Sequence, residues 1–199
     1  MAIRKNTKGE DYAERLQTLS NAKWKQVLDV QRPYRWNLKR LTLGKTLDVG
    51  CGIGRHLSHL PKGSLGVDHN EHSIKVARES GYNALTVDEF KKSKSIKKHT
   101  FDSMLLAHVL EHMSTEDGKK ILKEYLPFVK DKVVVICPQE KGFTTDETHV
   151  NFLQHADIEN IFKELGLVVH KSYSFPFFRW VGKLFAYNET VVVARKVTD

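Results

Sequence analysis

The sequence predicts a doubly wound α/β fold, a mainly parallel sheet between helical layers. Three observations predict it. Thr46-Leu47-Asp48-Val49 is an apolar strand that runs into Gly50-Cys51-Gly52-Ile53-Gly54, a turn with glycine at every second position. Ser64-Leu65-Gly66-Val67-Asp68 is a second short strand, ending in an acid roughly 20 residues further on. Lys132-Val133-Val134-Val135-Ile136-Cys137 is a continuous apolar run, the pattern of a parallel strand buried on both faces. Glycine has no Cβ, so it lets a ligand approach the backbone and admits φ values closed to other residues. A strand that ends in such a turn and opens a helix is the nucleotide-binding corner of this kind of sheet.

Composition sets the bounds. The 199 residues, 40% hydrophobic and 28% charged, suit one soluble domain with one real core. The expected organisation is a single domain over 1–199, with 1–43 as an N-terminal helical cover. No apolar run reaches membrane-span length, and Met1-Ala2-Ile3-Arg4-Lys5-Asn6 has no signal-peptide core, so a cytoplasmic location is expected. Cys51 and Cys137 both lie in apolar strand-end contexts and read as reduced buried thiols. Neither belongs to a Cys-x-x-Cys pair and the ten histidines show no zinc-site spacing, so no metal is expected. The formal charge of +8 raises the chance of a polyanionic partner. Much of the excess, however, is lysine in the stretch Lys91–Lys98, which reads as a solvated loop.

In chain order, residues 1–9 are polar and without periodicity. Tyr12, Leu16, Leu19, Trp24, Val27 and Leu28 track one face of a helix from about Glu10 to Val30. Pro33 breaks it, and Trp36, Leu38 and Leu41 suggest a short second helix that Gly44 closes. After the glycine turn, Leu57 and Leu60 mark apolar helix positions. His69-Asn70 enters a helix over Glu71–Ser80, stopped by Gly81. Ala84–Asp88 is a third strand and Ser103–Leu106 a central one, whose end belongs beside the glycine turn at the topological switch point. Ser114 caps a helix through Ile121, Leu122 and Tyr125, with Pro127 just beyond. Gln139–Leu153 is a loop over the sheet edge, followed by a helix over Ala156–Leu165. Leu167–Tyr173 and Thr190–Lys196 are the closing strands. The aromatic segment between them, 174–189, has three readings: a local core, an acceptor-pocket wall or dimer contact, or a lipid-interface segment.

The turn reads Asp-x-Gly-x-Gly-x-Gly, with Arg55 where a dinucleotide fingerprint requires glycine. This resembles the first motif of the class I S-adenosyl-L-methionine (SAM) methyltransferases. The resemblance implies that Asp48, Gly50, Cys51, Gly52 and Gly54 wrap the methionine part of SAM. It implies that Asp68, followed by His69, holds the ribose, and that Asp88, or else Glu89, reaches the adenine amine. Each of these acids has helix capping as its alternative reading. Ala107-His108-Val109-Leu110-Glu111-His112 resembles the fourth motif of small-molecule methylases of the quinone-methylase type, which puts His108 beside the methyl-bearing sulfonium. Thr148-His149-Val150-Asn151-Phe152 resembles the segment that many of these enzymes place before their last large helix. His108 and His149 are therefore the candidate bases, since a neutral histidine suits proton removal near neutral pH. His149 has a structural, hydrogen-bonded role as its alternative, and Cys137 reads as a structural thiol rather than a nucleophile. His112 and His149 are candidate acceptor contacts. Tyr34, Arg35 and Trp36 either line the pocket or pack the helix pair on the sheet.

The family further implies a seven-stranded Rossmann-like sheet in three α/β/α layers, with Thr190–Lys196 as its antiparallel strand. The implied function is methyl transfer from SAM to an O, N or C atom of a small-molecule acceptor, with S-adenosyl-L-homocysteine as product, by a monomer or homodimer. The chain lacks an Asn/Asp-Pro-Pro-aromatic run and a Pro-Cys after the central strand. Those absences subtract from a nucleic-acid substrate, so an RNA or other polyanion methylase is the second reading. A non-catalytic SAM-binding protein is the third.

Overall fold

A computed structural model describes residues 31–197. The helix expected over 10–30 lies outside them. The elements are α1 (Arg32–Arg40), β1 (Thr46–Val49), β2 (Leu65–Asp68), α2 (Glu71–Glu79), β3 (Ala84–Thr86), α3 (Val87–Lys92) and β4 (Phe101–Ala107). Next come α4 (Thr115–Tyr125), β5 (Val129–Pro138), the single turn α5 (Glu140–Phe143), α6 (His155–Glu164), β6 (Leu167–Phe175) and β7 (Glu189–Lys196). One sheet holds all seven strands in the order β3-β2-β1-β4-β5-β7-β6. β7 runs antiparallel to both of its neighbours, and the other pairings are parallel. The mainly parallel sheet with one antiparallel strand is as expected.

The apolar runs explain the layering. Side chains alternate across a strand, so a strand covered on both faces must be apolar throughout. Val133 and Val135 of β5, with Met104 and Leu106 of β4, join Leu122, Ile158 and Phe162 on the α4 and α6 face. Val134 and Ile136, with Leu105 and Ala107, pack with Leu38 and Leu41 of the α1 region on the opposite face. A third cluster, Cys51, Leu57, Ile74, Ala77 and Ala84, seats the glycine-turn segment and α2 beside β2. Gly66 makes that seat possible: a Cβ there would lie 2.6 Å from Cys51 Sγ and 2.7 Å from Leu57 Cδ1. Side-chain caps start α2 and α4, with Asn70 Oδ1 accepting from Ser73 N–H at 3.0 Å and Ser114 Oγ from Asp117 N–H at 3.2 Å.

Three local expectations give way. The glycine turn opens only a 3₁₀ turn, Leu57–His59, because Pro61 disfavours the helical region for Leu60, which is extended at ψ 153°. β3 ends at Thr86, not Asp88, because Thr86 and Glu89 form a reciprocal capping box that starts α3. The segment between β6 and β7 does not bury its rings as a local core. Phe178 is 78% exposed, Trp180 65% and Leu184 76%. A polar hub holds its backbone instead. Asn188, fully buried, accepts from Phe177 N–H and donates to Gln139 Oε1 and the Phe178 carbonyl. Gln139 Nε2 donates onward to Ser174 Oγ and the Glu189 carbonyl, and Arg179 makes a two-pronged ion pair with Glu140.

Candidate active site

The strand order reverses between β1 and β4, so the crevice lies beyond the C-terminal ends of these two strands. There Gly50, Gly52 and Gly54 have φ of 77°, 53° and 84°, values open to glycine at little cost. A Cβ on Gly50 would run into the side chain of Val109, two residues past the end of β4. The amides of Gly50 and Cys51 both donate to the Val67 carbonyl at the end of β2, which pins the turn. Asp68 finishes the cradle. Its Oδ2 accepts from Gly52 N–H and its Oδ1 from Asn70 N–H, each at 2.8 Å. Each carboxylate oxygen has a second lone pair, so two hydroxyl donors can still be accepted. His69 Nδ1 stands 3.4 Å from Asp68 Oδ1.

Asp48 lies beneath the turn, 1% exposed, and neither carboxylate oxygen has a hydrogen-bond partner among the described residues. Burial first, then the Asp68 charge, pushes its pKa up to about 8. Burial, then the Asp48 and Asp68 charges, raises the Cys51 thiol as well, which keeps it protonated. SAM fits this donor set. The glycine turn leaves room for its methionine part, the Asp68 carboxylate has lone pairs for ribose hydroxyls, and the buried Asp48 carboxyl is a group that the cofactor's positive charges would help to ionise.

The adenine candidates diverge. Glu89 is committed locally: Oε2 accepts from Thr86 N–H at 2.7 Å and pairs with Arg78, whose hydrogen bond holds the carboxyl below its usual range. Its capping alternative is the one seen. Asp88 stands exposed in the first turn of α3, just past the end of β3.

At the end of β4, His108 adopts φ 58° and its N–H donates to the Ile136 carbonyl of β5. Its ring lies between two carboxylates, Nε2 2.9 Å from Glu189 Oε1 and Nδ1 3.3 Å from Glu111 Oε1. Desolvation works against the charged form, but the Glu111 and Glu189 carboxylates on either side prevail and push its pKa up to about 10. The expected neutral imidazole is thus an imidazolium at neutral pH. His112 is different: burial is the main influence and lowers its pKa. His112 and His149 meet edge to face with ring centroids 4.8 Å apart. Cys137 is a buried free thiol whose pKa burial raises, the structural reading of it. Tyr34 donates from Oη to the Tyr187 carbonyl at 2.6 Å, Arg35 is half-buried, and Trp36 stacks on Phe175 with Arg40 over its ring. α1 therefore packs against the β6–β7 segment at this edge. Sequence reading missed Glu189, Gln139 and Asn188 as site-forming residues. The spacing from His108 to Glu111 is local and was available, whereas Glu189 is 81 positions from His108.

The fold and cradle together are those of a nucleoside-binding α/β sheet. Residues 47–137 match the family model described as a methyltransferase domain. No curated protein matches the chain. Among solved structures, it resembles the methyltransferase in the Haloferax volcanii complex with the Trm112 methyltransferase activator, with TM-score 0.68, 16% identity, and 100% and 99% of the two chains covered. A SAM-dependent methyltransferase from Thermotoga maritima gives TM-score 0.67 at 16% identity, covering 94% of this chain and 98% of that one. The magnesium protoporphyrin IX methyltransferase of Synechocystis, solved with bound SAM, gives 0.59 at 16%, covering 87% and 79%. The family-model match covers just under half of the chain, and the solved structures show that the chain as a whole shares the fold of SAM-dependent methyltransferases.

Proposed function

We propose that the enzyme methylates an O, N or C atom of a small-molecule acceptor with an apolar body. SAM, when bound, supplies an electrophilic methyl group on a sulfonium; the protein supplies alignment and exclusion of water. Asp68 takes the ribose hydroxyls, the turn at Gly50, Cys51, Gly52 and Gly54 takes the methionine part above Asp48, and Asp88 is the remaining acidic candidate for the adenine amine. His69 lies beside the ribose acid. His108 positions rather than deprotonates, because it holds its proton between Glu111 and Glu189. Acceptor activation then falls to the side of the crevice bearing His112 and His149, with Tyr34, Arg35 and Trp36 on the α1 wall.

The observation that carries the acceptor class is the collar of outward rings at this edge. β7 begins at Glu189, paired with Pro138 at the C-terminal end of β5, so the segment before it overhangs the crevice end of the sheet. Its Phe177, Phe178, Trp180 and Tyr187 are exposed, as is Trp36 of α1. Incubating metabolite, lipid and RNA fractions with methyl-labelled SAM, followed by mass spectrometry, tests the reading. Label in a low-molecular-weight product is expected. Label confined to RNA would transfer the assignment to a polyanion methylase, and tight SAM binding without any labelled product to a binding protein.

A further inference from the structure

We propose that Glu111, His112 and His149 form a divalent transition-metal site. One donor atom from each lies within 4.8 Å of the other two. Two imidazoles and one carboxylate, with no thiolate, favour zinc, iron(II) or manganese(II) over the all-oxygen cages of calcium and magnesium.

The hydrogen bonds around the three residues already set the donors. His149 Nδ1 lies 2.8 Å from the Phe143 carbonyl, which only accepts, so Nδ1 carries the proton and the lone pair is on Nε2. His112 Nδ1 faces the Thr148 carbonyl at 3.3 Å and Thr148 Oγ1 at 3.0 Å. Thr148 Oγ1 gives its own proton to Asp146 Oδ1 at 2.7 Å, so it accepts from His112, and again the lone pair falls on Nε2. An imidazole whose far nitrogen donates to an oxygen is the arrangement metal-binding histidines use.

Glu111 supplies an independent observation. It is 1% exposed, and among the described residues neither carboxylate oxygen has a hydrogen-bond partner, although His108 lies within ion-pair distance of Oε1. A buried acid left short of donors is costly, and an ion removes the deficit. The main chain fixes the two halves together, since the Glu111 carbonyl accepts from Val150 N–H at 2.8 Å and Asn151 N–H at 3.1 Å. Ligands around a bound ion sit roughly 3–3.5 Å apart, so loading draws the three side chains inward. Three protein ligands are the count of an open site, with a position left for a water or an acceptor oxygen or nitrogen. Only that last step rests on the methyltransferase reading; the ion's binding does not.

The test uses the full chain after chelator treatment and buffer exchange, with its fold checked by circular dichroism. Calorimetric titration with zinc or manganese(II) chloride is expected to give one site per chain, and His149→Gln at least a tenfold weaker one. Cobalt(II) read by visible absorption needs no variant: intense d–d bands are expected from a low-coordinate site of mixed nitrogen and oxygen donors. No saturable uptake by the folded parent, or unchanged affinity in folded His149→Gln, overturns the proposal, as does a cobalt spectrum that is the aquo ion's in both position and intensity. SAM titrated separately distinguishes the two readings, because a protein that binds SAM but no metal loses the ion site alone.

Discussion

Asp48 shows how much a single buried side chain can reveal. In the unfolded chain it titrates in the ordinary carboxylate range, near 4, whereas in the fold its pKa is about 8. Between those values the folded protein holds a proton that the unfolded chain has lost. Stability is therefore full below the unfolded pKa and declines as pH rises through the folded one, by at most about 1.4 kcal/mol per pH unit. Asp48→Asn cannot titrate, so its melting temperature should gain on the parent's between pH 5 and pH 8.5; a constant gap would mean that Asp48 is ionised in the fold. Asp68 gives the complementary test. It binds the turn through Gly52 N–H and faces the crevice with its remaining lone pairs. Asp68→Ala should weaken SAM binding by roughly 2–4 kcal/mol, the scale for truncating one partner of a buried charged pair, with circular dichroism unchanged. Calorimetry showing the parent's dissociation constant would assign the ribose to another residue.

Among the elements, what was legible in the sequence was whatever depends on neighbours a few positions away. The strand–glycine–strand–acid pattern, the caps at Asn70 and Ser114 and the two-sided burial of β5 all follow from short-range pattern. The lost helix after the glycine turn was readable too, since Pro61 acts on the residue before it, but two leucines at helical spacing outweighed that signal. Contacts distant in sequence were not legible. Nothing local to His108 announces Glu189, so its protonation state followed only from the pairing of β7 with β5. Aromatic density in 174–189 left a local core, a pocket wall or dimer contact and a lipid-facing segment all open, because ring count carries no direction. The segment is held by amides instead, and Asn188 is the one to remove. Asn188→Ala leaves Gln139 Oε1, Phe177 N–H and the Phe178 carbonyl without their partner. A buried polar group so stranded costs about 1–3 kcal/mol, which falls mainly on Gln139 Oε1 because the bonds to Phe177 and Phe178 are part-buried. The variant should melt several degrees lower, and limited proteolysis should cut within 176–188 sooner than in the parent. Equal cutting rates would show that the Arg179–Glu140 pair is enough to hold the segment.

Across the whole molecule the sheet divides the work. β1 and β2 end in the groups that suit a cofactor, the glycine turn and Asp68, and Asp88 follows β3 in the first turn of α3. His108 and Gln139 follow the ends of β4 and β5 and Glu189 begins β7 beside them, overhung by α1 and the aromatic segment. The halves meet along the β1–β4 ladder, and Val109 against Gly50 carries that contact to the crevice end. If the division holds, substitutions in the second half should separate acceptor recognition from cofactor binding. Phe178, Trp180 and Leu184 are suitable targets because they are exposed and outside the Asn188 hub's side-chain hydrogen bonds, so replacing all three by Ser should spare the fold. The triple variant is expected to keep the parent's SAM dissociation constant, measured by calorimetry, and to raise KM for the acceptor at least tenfold once labelling has identified it. An unchanged KM would take the collar out of acceptor recognition. In that case, loss of a dimer by sedimentation, or loss of binding to anionic vesicles, would say which surface the rings serve. A changed SAM constant would instead mean that the two ends of the sheet are coupled through the contact at Gly50, and that the division into halves is wrong.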